Sequence, residues 1–154
     1  MNSHHHPLVL GIAVFFVAGF GSWNVYRFLD HPPVLVAEER EYVGNAHAKA
    51  NLIRTTNLVA NSIVSTPLTI KGQARGVWFF EGSFPVEIIG TNGAVLGKGI
   101  AEAEGEWMTE QFVPFVAKVQ FSPQGDEGMI RLKKDNPSGL PEHDDVLIVP
   151  IRFK

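Results

Sequence analysis

The chain has 154 residues, with 13 Lys and Arg against 16 Asp and Glu, and no cysteine. That length suits one domain with a real core plus a tail or anchor, and the missing cysteine excludes disulfides, thiolate nucleophiles, Cys-based zinc sites and lipoprotein-type lipid attachment. Residues 51–154 hold 10 Lys and Arg against 12 Asp and Glu; no basic stripe runs through them, so nucleic acid is not an expected partner.

Residues 1–7, MNSHHHP, read as a short tail. His4, His5 and His6 are taken as a chance run, since no further ligand lies near them in sequence. Leu8–Trp23, LVLGIAVFFVAGFGSW, carries no charge, and residues 8–29 match the ~20 positions an α-helix needs to cross a bilayer. Trp23 and Tyr26 fall where an aromatic belt lies, and Arg27 is placed to snorkel into headgroups. A transmembrane anchor is predicted, with a cleaved signal segment as the alternative; the absence of an Ala-x-Ala site and of a basic n-region favours the uncleaved form. The expected arrangement is a single pass through the cell membrane, amino-terminus inside and carboxy-terminal domain extracytoplasmic. Residues 30–50 read as a linker. Pro32–Pro33 blocks helix continuation, Ala37 to Tyr42 is expected to form a short surface helix, and Gly44–Asn45 to end it.

From residue 51 the pattern changes to period two, which predicts half-buried strands. Leu68, Ile70 and Ala74 alternate with Thr69, Lys71 and Gln73; Phe84, Val86 and Ile88 share a face with Glu87 opposite. Asn92–Gly93 supplies the pair a type I′ turn prefers, so residues 85–101 are predicted as a hairpin. Phe115, Ala117, Val119 and Phe121 share a face; Ile130 and Leu132 alternate with Arg131 and Lys133; DVLIVPIRF is apolar on both faces, as a central strand would be, with Pro150 denying one ladder bond. About seven short strands separated by Gly, Pro and Asn turns predict an all-β, antiparallel sandwich over residues 51–154, following the transmembrane helix. Trp78, Phe79, Phe80, Trp107, Phe112 and Phe115 supply bulk for the space between two sheets.

The runs STPLTIKGQARG, WFFEGSFPVEIIGTNGAVLGKGIAEAEGEWMTEQFVPFVAKVQF and KDNPSGLPEHDDVLIVPIRF resemble the immunoglobulin-like domain associated with bacterial spore-germination (GerMN-type) proteins. The resemblance rests on Gly72-x-Ala74, Phe80-Glu81-Gly82, Ala103 followed by Trp107, Pro114-Phe115, and Asp135-Asn136-Pro137-Ser138-Gly139, and spans about residues 52–154. It implies an immunoglobulin-like β-sandwich, secreted or tethered, with a structural or interaction role and no established catalytic residues. The partner germination domain of the spore proteins is not found in this sequence, which makes a general cell-envelope role the safer expectation.

The search for chemistry returns little. There is no Gly-x-Ser-x-Gly elbow and no His-Glu-x-x-His helix. Ser138, His143 and Asp144 form a Ser–His–Asp set on paper, but positions so close along a loop rarely converge. Asp135, Glu142, Asp144 and Asp145 offer oxygens for calcium, although their spacing matches no recognised loop and acidic turns are usually just solvated. Asn136, Pro137, Ser138 and Gly139 read as a shape-determining turn, and Trp107 as a structural aromatic. Trp78, Phe79 and Phe80 cannot all face one core in a strand, because alternate side chains point oppositely. An exposed ring there, with Glu81 beside it, would make a platform for a sugar or a protein; a bulge or covering loop would bury the rings instead.

The expected function is a non-enzymatic, membrane-anchored module for protein interaction or envelope scaffolding. The alternative is a module that binds cell-wall glycan or exopolysaccharide through Trp78, Phe80 and Glu81. No cofactor is expected; the expected partners are the membrane, through the amino-terminal helix, and an envelope protein or cell-wall polymer.

Overall fold

The period-two segments form strands in a computed structural model, which describes residues 44–154. The predicted anchor at 8–29 and the short helix expected over Ala37–Tyr42 lie outside the described residues, among which no helix is long and apolar enough to cross a membrane. The described chain begins with a one-turn helix, α1 (Ala46–Lys49), and two three-residue strands, β1 (Ile53–Thr55) and β2 (Ser62–Val64). The longer strands β3 (Leu68–Arg75), β4 (Ser83–Gly90), β5 (Val95–Ala103), β6 (Phe112–Val119), β7 (Glu127–Lys133) and β8 (Val146–Phe153) follow.

The described residues thus hold eight strands where about seven were expected, in the hydrogen-bonded order β1-β3-β6-β5-β4-β7-β8-β2. Every pairing is antiparallel except one: β2 runs parallel to β8, Ser62–Val64 opposite Ile151–Phe153. The ladder becomes a sandwich because β5 serves two partners. Its length pairs with β4, from Ser83 opposite Glu102 to Ile89 opposite Val95, while Ala101–Ala103 also pair with Ala117–Phe115 of β6. One layer therefore holds β1, β3, β6 and the end of β5, and the other holds β5, β4, β7, β8 and β2. These match the A-B-E-D and C-F-G arrangement of an immunoglobulin domain, with β1 and β2 as the two parts of its first strand.

The core lies between the layers. Leu68, Ile70 and Ala74 face Phe84, Val86 and Ile88 from the opposite layer, joined by Phe115, Ala117, Val119, Ile130, Leu132, Leu147, Val149 and Ile151. Phe84 on β4 and Phe115 on β6 meet edge to face, with centroids 5.0 Å apart. Apolar residues on both faces of β8 are explained by a second, smaller cluster, in which Ile148 packs with Ile89 and Met129 on the outer side. Pro150 keeps its place in the ladder opposite Met129, and its carbonyl accepts from Asn61 N–H.

The hairpin expected over residues 85–101 is present, but its turn is not type I′. Gly93 adopts φ +78 while Asn92 stays out of the positive region. Gly93 N–H donates to Gly90 C=O, Gly90 N–H to Ala94 C=O, and Asn92 Oδ1 accepts from Ala94 N–H. This is a three-residue loop with glycine at the bulge position, and the register shifts by one between Ile88 and Ile89. The type I′ signature occurs elsewhere, at Glu81 (φ +50) and Gly82 (φ +77), where Phe80 and Ser83 exchange both backbone hydrogen bonds.

The described end of the segment expected as linker is docked on the domain. Asn45 Nδ2 donates to Val146 C=O (2.8 Å), its Oδ1 accepts from Ile148 N–H (2.7 Å), and Lys49 pairs with Asp145 at 2.5 Å. Asn45 thereby extends the cover of the β8 edge beyond the point where β2 stops.

Candidate functional site

Strand register decides which loops meet. Arg75 ends β3 opposite Phe112, which begins β6; Ser83 begins β4 opposite Glu102 near the end of β5; Lys133 ends β7 opposite Val146, which begins β8. Loops 76–82, 104–111 and 134–145 therefore gather at one end of the sandwich, the end where immunoglobulin domains carry recognition loops.

The first two loops touch backbone to backbone. A Cβ on Gly76 would lie 1.9 Å from Thr109 O and 2.3 Å from Trp107 O, so only glycine fits there. Gly82 lies against the Trp107 ring, a built Cβ falling 3.3 Å from its Cδ1. Two of the motif pieces noted in the sequence, Phe80-Glu81-Gly82 and Trp107, thus form one unit. The same two loops carry half-buried Trp107 and three exposed apolar side chains: Val77, Phe80 (41% exposed) and Met108 (73% exposed). Glu81, Glu104, Glu106 and Glu110 are exposed in the same two loops, which contain no Lys, Arg or His. None of these four carboxylates has an ion-pair partner among the described residues.

The aromatic platform expected at Trp78, Phe80 and Glu81 is only partly there. A 3₁₀ turn, Gly76–Trp78, interrupts the alternation of a strand, so Trp78 and Phe79 are both buried and Phe80 points out. Trp78, fully buried, has no face to offer a ligand. Its indole N–H meets no acceptor among the described residues, a cost of about 1–3 kcal/mol that burial of the ring, worth about 4–6 kcal/mol, outweighs.

The calcium site is not assembled. Among the described residues no three His, Asp or Glu converge as metal ligands. Asp145 is turned to Lys49, Asp144 Oδ1 accepts from Asn136 Nδ2 at 2.7 Å, Asp135 N–H donates to Trp78 C=O, and Glu142 sits exposed on the 3₁₀ turn Pro141–His143. Asn136 to Gly139 form the shaped turn expected of them: Asn136 Nδ2 also donates to Leu140 C=O, Gly139 takes φ +65, and Ser138 Oγ donates to Asn136 Oδ1 at 2.5 Å. Contrary to expectation, Ser138 and His143 do converge, Oγ to Nδ1 at 3.0 Å, because the 3₁₀ turn folds the loop back. No relay results. Ser138 Oγ lies within hydrogen-bond distance of both Asn136 Oδ1 and His143 Nδ1, and Asp144 Oδ1 accepts from Asn136 rather than from the imidazole, so the Ser–His–Asp order is not formed.

Sequence reasoning missed Val77, Met108 and the acidic run Glu104-Glu106-Glu110. The available signal was EGEWMTE, an inter-strand loop with three acids, no base and two large apolar residues.

No curated protein and no solved structure matches the chain. A family model matches residues 53–139, more than half of the chain, and covers the first two loops and the Asn136–Gly139 turn. The chain belongs to that family, Gmad2, the immunoglobulin-like domain of bacterial spore germination.

Proposed function

We propose that the chain is a non-enzymatic module, anchored in the cell membrane by residues 8–29, whose immunoglobulin-like domain binds another protein of the envelope through its loop end. The observation that carries this reading is the exposed apolar group Val77, Phe80 and Met108, carried on two loops that touch at Gly76 and at Gly82 against Trp107. Exposed apolar side chains gathered on adjoining loops are characteristic of contact surfaces. Family membership supports a module of this kind, and the anchor rests on the hydrophobicity of residues 8–29.

Chemical cross-linking in intact cells tests the reading. A discrete higher-mass species containing the chain is expected, and Phe80→Ser/Met108→Ser, with unchanged melting temperature, should abolish it. Persistence of the species in that variant would refute the loop end as the contact. A second reading, binding of cell-wall glycan, keeps the half-exposed Phe80 ring with Glu81 beside it. Co-sedimentation with purified peptidoglycan, lost in Phe80→Ser, would favour it over a protein partner.

A further inference from the structure

We propose that the loop end recognises a basic, amphipathic protein segment, whose Lys or Arg side chains meet Glu81, Glu104, Glu106 and Glu110 while an apolar side chain seats on Val77, Phe80 and Met108. The inference rests on the contact surface proposed above and names its partner's chemistry. Charge complementarity carries it. Loops 76–82 and 104–111 hold four carboxylates and no cation, although residues 51–154 as a whole are near balance, with 10 Lys and Arg against 12 Asp and Glu. One cation reaches this loop from outside it: Arg75 donates to Glu110 C=O and to Asn51 C=O and stacks on Phe112 beside Arg54, 4.5 and 4.3 Å from the ring centroid, without forming an ion pair with any of the four carboxylates. The carboxylates are therefore left to solvent or to a partner. Glu106 Oε1 accepts from Met108 N–H, which ties the most exposed apolar residue of the group to an acid beside it. Glu81 occupies a positive-φ position where asparagine or glycine would sit at lower cost, so local backbone preference does not account for a carboxylate there.

Such a surface attracts cations at long range and adds short-range apolar contact. Affinity should depend on both side-chain classes and weaken as salt screens the charges. An acidic or neutral partner would meet four unpaired carboxylates.

The test uses the full chain in nanodiscs of zwitterionic lipid, with empty nanodiscs as reference. The probe is a synthetic twelve-residue peptide of Lys, Phe and Ser, compared with its Glu-for-Lys counterpart. The expected result is binding of the lysine peptide alone, weakened about tenfold between low and physiological salt. Glu104→Gln/Glu106→Gln/Glu110→Gln and, separately, Phe80→Ser/Met108→Ser should each weaken it about tenfold as well. Asp126→Asn/Glu127→Gln, at the opposite end of the sandwich, should leave it unchanged. No binding, equal binding of the two peptides, or equal sensitivity to the opposite-end variant would overturn the inference. If the loop-end variant abolishes the cellular complex but the peptide does not bind, the basic chemistry is wrong and the contact surface stands. If both fail, both readings fall.

Discussion

Replacing Phe84 with alanine tests whether the ladder folds into two packed layers. Phe84 is fully buried on β4 and touches two rings, Phe79 at 5.2 Å and Phe115 at 5.0 Å between centroids. Truncation of a buried phenylalanine costs about 3–5 kcal/mol, from lost transfer energy and the cavity left behind. At roughly 4 °C per kcal/mol for a domain of this size, the melting temperature should fall by roughly 15 °C. Phe115 reaches Phe84 from a strand that is not its ladder neighbour. A double-mutant cycle on Phe84→Leu and Phe115→Leu, followed by urea denaturation and far-UV circular dichroism, should therefore show a coupling of about 0.5–1.5 kcal/mol. Strict additivity would refute the inter-layer contact, and a Phe84→Ala loss below about 1 kcal/mol would refute its place in the core.

Other perturbations address the ends of the domain. Asn45→Ala removes two side-chain bonds to β8 and leaves Val146 C=O and Ile148 N–H unpaired; a loss of about 2 kcal/mol is expected in thermal melts, and none if residues 44–50 are mere spacer. Glu81→Asn should stabilise by about 0.5 kcal/mol, since asparagine suits the type I′ turn better, and a lower melting temperature would contradict the turn geometry. Gly82→Ala should cost more than Gly93→Ala: both residues have positive φ, but only the new Cβ at Gly82 meets a ring, Trp107. Equal costs in parallel melts would deny that contact. Millimolar calcium should leave the melting temperature unchanged because Asp144 and Asp145 are engaged by Asn136 and Lys49 and no three acids converge among the described residues; a rise of several degrees would show that they regroup around the ion.

β3, β6 and most of β4 were legible because they bury alternate residues. Leu68, Ile70 and Ala74 face inward as their spacing predicts, and so do Phe84, Val86 and Ile88. β1 and β2 were not legible, since three residues are too few to display a period, and the parallel pairing of β2 depends on where its partner β8 ends. Asn92–Gly93 marked a turn correctly but not its type: the side chain of Asn92 caps Ala94 N–H, and the loop uses glycine alone for positive φ. The alternation argument was right that Trp78, Phe79 and Phe80 cannot share one strand face. Which ring would escape was decided by a 3₁₀ turn wedged against Thr109, a contact between loops about thirty residues apart. For the same reason the Ser138–His143 contact could not be read from spacing: the backbone reversal at Pro141–His143 creates it.

A scan with a photo-activated cross-linking residue, placed one position at a time in the full chain in cells, tests the proposed contact surface most directly. Other exposed apolar residues serve as internal controls: Val59 and Ile63 on the β2 side, Val95 and Ile100 on β5. The account predicts adducts with a discrete protein from Val77, Phe80 and Met108, and none from the controls. Adducts arising from Ile63 or Ile100 while Met108 stays silent would place the contact on a sheet edge or flank and contradict the loop end as the working surface of this domain.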